Sequence, residues 1–369
     1  MPTIDWPEAL IPQTAQLSLR KAGAQFASPF NGTTQAVDFL AERWTLSASL
    51  AQMSARNPRG VDAFCNTLAG GVERVRVWPF HTGGVPRGTL RGAPTLAASV
   101  ARGASTLALS DVRAGSNLLR NGGFELDTNL DGLADWWVPY ATGGTGAYSF
   151  ALVSGQQSPL AQSVQAAALG VSDSDRIGVF SGPYAVQAGQ PYAFGVDALN
   201  TSANLAINID WGAAGGVYLS STNVSFGSSP SWARRVLLAV APAGAVQATA
   251  FCWISARGGA AGSSTLQIDN AQFERSVSAT PYPGPATLAA GDFIACAGQL
   301  FQCAADVASP DNFALSVPLI NRVRAPIAAG SAVTWYRPTC EMMLPAMQAG
   351  PVRRPGAIES TALDLVEVW

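Results

Sequence analysis

Asn117-Leu118-Leu119-Arg120-Asn121-Gly122-Gly123-Phe124-Glu125 opens a module that Ile268-Asp269-Asn270-Ala271-Gln272-Phe273-Glu274 closes. On either side the chain reads as two halves of one small β domain, so this bracket decides the division of the fold. The outgoing flank ends in a turn at Ala114-Gly115, and the return passes through Pro281, Pro283 and Pro285. Proline removes backbone donors and stiffens the chain, which suits an interdomain crossing. A sandwich with adjacent termini can enter a surface loop without separating its host's strands. The expected division is a discontinuous host, 1–115 with 283–369, and a continuous insert, 116–282.

Composition agrees with an all-β chain. Of 369 residues, 48% are hydrophobic, enough for more than one core, while only 12% are charged, against about 25% in an average domain. With 37 Gly and 24 Pro, that balance fits many short strands joined by turns. The insert carries ten acids against six Arg, and the flanks fourteen acids against sixteen bases, so neither holds the dense basic patch of a dedicated nucleic-acid binder. Cys65, Cys252, Cys296, Cys303 and Cys340 lack close C-x-x-C pairs and have only His81 beside them; they read as small buried hydrophobes of a reducing cytoplasm. There is no basic region followed by an apolar core at the N-terminus and no apolar run of membrane-spanning length, so no membrane insertion is expected.

Around the bracket, Asn31-Gly32 predicts a hairpin, and Trp44 to Leu50 alternates with period two. One helix is expected, capped by Asn57, begun by Pro58, carrying Val61, Phe64, Cys65 and Leu68 at helical spacing, and ended by Gly70-Gly71. A strand follows over Glu73 to Trp78. Past the insert, a hairpin is expected about Gly298, strands over Phe313 to Val317 and Ala332 to Tyr336, and a last strand over Thr361 to Trp369. The host thus reads as a β sandwich or barrel with one packed helix.

The sharpest local signal is Asp127-Thr128-Asn129-Leu130-Asp131-Gly132-Leu133-Ala134-Asp135, the D-x-N-x-D-G-x-x-D spacing of a calcium loop. Oxygens of Asp127, Asn129, Asp131 and Asp135 recur at alternate positions, Gly132 permits the sharp turn, and Leu133 offers its carbonyl. Val138 stands where such loops carry a bidentate Glu, and the competing reading is a polar turn rich in Asp and Asn. Sugar recognition needs aromatic faces beside amides or carboxylates. Trp211 and Tyr218 flank the loop-like Gly212 to Gly216, Asn208 and Asp210 adjoin Trp211, and Trp136 and Tyr140 follow the Asp-rich loop; these six are the expected carbohydrate contacts. Phe251 and Trp253 share a strand face and are expected in the core. Catalysis finds little support: there is no nucleophile elbow, phosphate loop or metalloprotease helix.

The bracket resembles the first and last strands of calcium-containing carbohydrate-binding jelly rolls. In that family the acid of the opening block and the Asp of the closing block often share a structural calcium, which implies Glu125 and Asp269 here. The flanking blocks, Thr3 to Pro7, Phe26 to Gln35, Glu42-Arg43-Trp44, Val77-Trp78-Pro79, Leu288 to Ile294, Tyr336-Arg337-Pro338 and Leu363 to Trp369, taken in order, resemble a distal tail protein of long-tailed (siphovirus-like) bacteriophages. The implied fold is all-β with one helix: a discontinuous tail-tube-like sandwich or barrel plus an inserted β-sandwich jelly roll.

The resemblance implies a homohexameric ring in the virion tail tip, assembled in the host cytoplasm, joining the tail tube protein to the tail-tip hub protein. Passing DNA would be met only nonspecifically, and the insert would hold a bacterial surface glycan. The alternatives are a free carbohydrate-binding adhesin or glycosidase accessory protein, or an insert that binds protein.

Overall fold

The computed structural model describes residues 3–21, 23–27, 29–39, 41–50, 58–68, 71–143, 146–255, 262–345 and 361–368. Within them the chain is nearly all β, with a single α-helix, Pro58–Leu68. Three separate hydrophobic cores organise it: two in the flanks and one in the insert.

The first flank core lies under a six-stranded sheet ordered Thr3–Asp5, Arg74–Val77, Cys340–Met343, Thr361–Glu367, Arg43–Leu50, Pro12–Arg20. Thr361–Glu367 pairs with Cys340–Met343 on one side and Arg43–Leu50 on the other, so N-terminal and C-terminal flanks build one sheet. The expected alternation holds: Trp44, Leu46, Ala48 and Leu50 point inward, as do Leu363 and Leu365 opposite them. Phe64, Cys65 and Leu68 of the helix pack into the same core; the cap assigned to Asn57, and Gly70, lie outside the described residues, as does Trp369. The predicted Asn31-Gly32 hairpin is Gly23–Ala27 with Thr34–Asp38, a two-stranded sheet of its own.

The flanks hold two cores, although the sequence suggested a single host domain. Strands Leu90–Leu96, Thr106–Ala114 and Leu315–Pro318 form a sheet, and Phe293–Cys296 turns at Ala297 and Gly298, both with positive φ, into Gln299–Gln302. All of these are open sheets; among the described residues the host closes no barrel. Polar contacts join the two flank cores: the Arg322 N–H donates to Glu42 (2.9 Å), and Arg324 meets Glu367 in a buried pair, while within the first core Trp44 Nε1 donates to the Leu300 carbonyl (3.1 Å).

The insert is a sandwich of two five-stranded antiparallel sheets. One runs Tyr148–Ser154, Leu160–Leu169, Gly262–Glu274, Pro191–Thr201, Ser229–Val240; the other runs Tyr218–Phe226, Asn204–Gly212, Gln247–Ser255, Arg176–Ala185, Val138–Thr142. The opening and closing blocks pair with each other. Asn117 Nδ2 donates to the Ala271 carbonyl (3.1 Å) while its Oδ1 accepts the Leu119 and Phe273 N–H groups (both 3.0 Å). Gly122 is required by this pairing, because a Cβ there would lie 2.3 Å from the Ala271 oxygen. Phe124 and Phe273 then enter the sandwich core.

At the seam with the host, the Arg120 guanidinium lies over the rings of Phe313 (3.8 Å) and Trp136 (4.5 Å), which touch each other at 5.2 Å, and pairs with Asp111 (3.4 Å). The Asn121 N–H donates to the Asp311 carbonyl (2.6 Å).

Candidate functional site

Strand Gln247–Ser255 decides which side of the sandwich is available. Ala248, Ala250, Cys252 and Ile254 face the core, so Thr249, Phe251 and Trp253 face outward. Register then extends this outer face across the sheet. One row is Tyr140, Gly178, Trp253 and Ala206; the next is Val138, Phe180, Phe251, Asn208 and Asn223; a third is Thr249, Asp210 and Ser221.

The aromatics form one connected group. Phe180 stacks on Phe251 (4.9 Å between centroids), and Tyr140 lies 5.3 Å from Phe251 and 5.5 Å from Trp253. A Cβ at Gly178 would come within 2.5 Å of the Trp253 backbone, so no side chain stands between Tyr140 and Trp253. Trp253 is only 6% exposed although it is outside the core; Tyr140, Phe251 and the Arg176 guanidinium, 5.1 Å from its ring, close around it. Beside the rings runs a polar strip. Asn208 Nδ2 donates to Asp210 Oδ1 (2.6 Å), and burial pushes the Asp210 carboxyl above its ordinary range against that hydrogen bond. Ser221 and Asn223 are exposed alongside. A sheet face with flat rings on one side and an amide, a carboxylate and hydroxyls on the other can stack a pyranose and hydrogen-bond its hydroxyls.

Of the six expected sugar contacts, Tyr140, Asn208 and Asp210 meet on this face, and Tyr218, 62% exposed, stands at its edge opposite Gly212. Two fall elsewhere. Trp211 is a core residue, 1% exposed, with Nε1 donating to Thr222 Oγ1 (3.0 Å) and its ring against Tyr192; its position in Asn204–Gly212 has the parity of Ile207 and Ile209. Trp136 is exposed, but it stacks on Arg120 and Phe313 at the host seam. Phe251 and Trp253, expected in the core, belong to the face, and Phe180 joins them. The small residues Ala248, Ala250 and Cys252 on the opposite parity were the available signal.

The Asp127–Asp135 loop is held largely by its own hydrogen bonds. Asp127 Oδ2 accepts the Gly132 N–H (3.0 Å), Asp131 accepts the Leu133 N–H (2.8 Å) and Asn129 Nδ2 (2.9 Å), and Asp135 accepts both Thr128 donors (3.1 and 2.9 Å). Asp127 Oδ1 is buried without a partner, an acceptor that a cation would satisfy. Glu125 and Asp269 do not fit a shared calcium. Asp269 already accepts Ser158 Oγ and the Asn270 N–H (both 2.6 Å) on Oδ1, and the Gln156 and Gln157 N–H groups (2.8 and 3.4 Å) on Oδ2. Four donors, two to each oxygen, occupy the positions a metal would need. Among the described residues no three His, Cys, Asp or Glu side chains converge as a metal-binding group.

No known protein family and no curated protein matches the sequence. Solved structures do match in part. The enzymatically active domain of tailspike protein 4 of bacteriophage CBA120 is 17% identical with a TM-score of 0.34, covering 43% of this chain and 21% of that one. The family 11 carbohydrate-binding module of the Clostridium thermocellum cellulase Lic26A-Cel5E is 15% identical with a TM-score of 0.30, covering 44% and 96%. TmCBM61, solved with β-1,4-galactotriose, is 18% identical with a TM-score of 0.30, covering 43% and 99%. The match thus spans about a fifth of the tailspike and nearly all of each binding module.

Proposed function

We propose that this chain is a non-catalytic structural protein of a phage tail tip, of the distal tail type, whose inserted sandwich holds a bacterial surface glycan. The observation that carries the glycan reading is the outward face on which Tyr140, Phe180, Phe251 and Trp253 adjoin Asn208 and Asp210. The ring reading draws on the flanking resemblance and on the hairpin Gly23–Ala27 with Thr34–Asp38. An isolated two-stranded hairpin is at best marginally stable in water. This one exposes Phe26, Val37 and Phe39, with Phe30 at its turn 96% exposed, a surface suited to a neighbouring copy in a homohexamer. Tail tube protein above and hub protein below complete the expected partners, with DNA passing through without specific contacts. Among the described residues no helix is long and apolar enough to cross a membrane.

Trp253→Ala is expected to weaken glycan binding by about tenfold or more, since stacking on an aromatic face is worth about 1–2 kcal/mol. The measurement is a glycan array followed by titration of the best glycan against wild type and variant. Unchanged binding would remove the face from the reading. Tracing the chain in purified virions by electron microscopy tests the ring, and its absence from the tail tip would end that half of the proposal.

Calcium belongs to the proposal at the Asp127–Asp135 loop, where Asp127, Asn129, Asp131, Asp135 and the Leu133 carbonyl would have to draw together around it, the buried, unpartnered Asp127 Oδ1 being the support for that reading. Chelation should then lower the insert's melting temperature, reversing a stabilisation of about 2.7 kcal/mol at a hundredfold excess over Kd. Asp127→Ala should abolish that response. A melting curve insensitive to chelator in the wild type would show that the loop is an Asx-rich turn.

A further inference from the structure

Where the insert meets its host, a cavity of about 670 Å³ opens between them, with Gly123, Glu125, Ser158 and Asn270 on the insert side and residues 282–285 on the return. A Cβ built on Gly123 would lie 3.0 Å from the Tyr282 hydroxyl and 3.6 Å from Glu125 Cγ, so both groups border one small space. Glu125 takes the Leu160 N–H (3.2 Å), the Ser158 hydroxyl being given to Asp269 (2.6 Å), and no base acts on it. Asn270 is fully buried; its Nδ2 donates to Asp197 (2.8 Å), while its Oδ1 has no partner. The remaining wall is mostly apolar, built from prolines at 159, 283, 285 and 310 with Ala308, and Gln157 at one side.

We infer that this seam cavity binds an aliphatic primary ammonium ion. An ammonium has only donors, which matches the Glu125 carboxylate and the Tyr282 phenol oxygen bordering one space. The proline walls and the tyrosine ring suit a methylene stem and a cation beside an aromatic face. A neutral sugar would need donors for its ring and hydroxyl oxygens, and few point here. Calcium would require the apolar wall to supply oxygens, and Asp269 is closed to it by its four donors. Since the two walls belong to the insert and to its return into the host, the bound ion would bridge them. The same ammonium group is carried by a free alkylamine and by a lysine side chain.

The test is titration of the full chain by saturation-transfer NMR with n-pentylammonium, Nα-acetyl-lysine methylamide and pentyltrimethylammonium. The first is expected to bind, and the trimethylated ion, which cannot donate, about tenfold more weakly. Glu125→Gln should weaken n-pentylammonium by about tenfold or more with the melting temperature retained. Gly123→Ala should weaken it by filling the space. Binding of the lysine derivative as tightly as the free amine would assign the site to a polypeptide side chain, and preference for the free amine to a small ligand. Absence of n-pentylammonium binding, binding that survives Glu125→Gln, or a calcium ion held by Glu125 in its place would each overturn the inference. Glycan titration of Glu125→Gln serves as the control and should be unchanged, because the outward face lies on the other sheet.

Discussion

Arg324→Met will loosen the joint between the two flank cores, costing about 3–5 kcal/mol, because it strands a buried carboxylate. The Arg324 and Glu367 side chains are 3% and 0% exposed, and the Trp44 N–H donates to the same carboxylate (2.9 Å). Burial pushes the Glu367 carboxyl up to about 7, against the pull of Arg324 and of that N–H. A carboxyl raised in the folded state contributes stability that is fully present below its unfolded pKa and is lost as pH rises through the folded value. The host's stability should therefore fall, so far as this group governs it, between the ordinary glutamate range and about pH 7. Without Arg324, which pulls the Glu367 pKa down, that fall should continue to higher pH, so the variant's deficit should be larger at alkaline than at mildly acid pH. Hydrogen exchange in Arg43–Leu50 and Thr361–Glu367, followed across that range, reads the effect directly. The double variant Arg324→Met with Glu367→Leu should recover most of the loss, since both charges leave together. A double variant no more stable than the single one would show that packing around Arg324, not its charge, holds the joint.

Trp211→Ala is the second large effect, about 3–5 kcal/mol from the insert's stability, through the cavity left by a fully buried indole and the loss of its bond to Thr222. Glycan affinity of the molecules that remain folded should be nearly untouched. Trp253→Ala, on the same sheet but opposite parity, should lower glycan affinity together with stability, because that indole is itself only 6% exposed. Measuring melting and glycan titration on both variants settles the register: a Trp211→Ala insert of normal stability that no longer binds glycan would contradict the packing of Asn204–Gly212.

The contrast between those two tryptophans also marks where sequence reading stops. Period-two alternation identified Arg43–Leu50 and the last strand, and Asn31-Gly32 and Gly298 marked real turns, because those signals are local. Parity within a strand is local too, yet which parity faces the core depends on the opposing sheet. Trp211 follows a run whose inward members are Ile207 and Ile209, while Trp253 alternates with small residues that let the sheets approach. An indole beside a Gly-rich loop looked exposed, and an aromatic pair on one face looked like core; both inferences weighed residue type above register. The second flank core was hidden for a different reason. Its strands come from both sides of the insert, and its boundary with the first core runs through polar contacts such as Glu42 with Arg322 that carry no periodic mark. The poor fit of Glu125 and Asp269 to a shared calcium was hidden because the N–H groups that bond Asp269, those of Gln156 and Gln157, lie more than a hundred positions away in the chain.

The Arg120 guanidinium capping the touching rings of Trp136 and Phe313 limits how far the sandwich can swing. Two chain crossings alone would let a module tumble through a wide cone, and repeated copies would then search a surface independently. Two touching rings, Trp136 of the module and Phe313 of its host, capped by a cation that Asp111 anchors, make the module an arm of fixed bearing. In a ring the arms would all point along symmetry-related directions, so their spacing would match only receptors laid out at compatible distances. Arg120→Ala would trade that selectivity for reach: tighter grip on sparse or irregular coats, and a weaker preference for dense, regular ones.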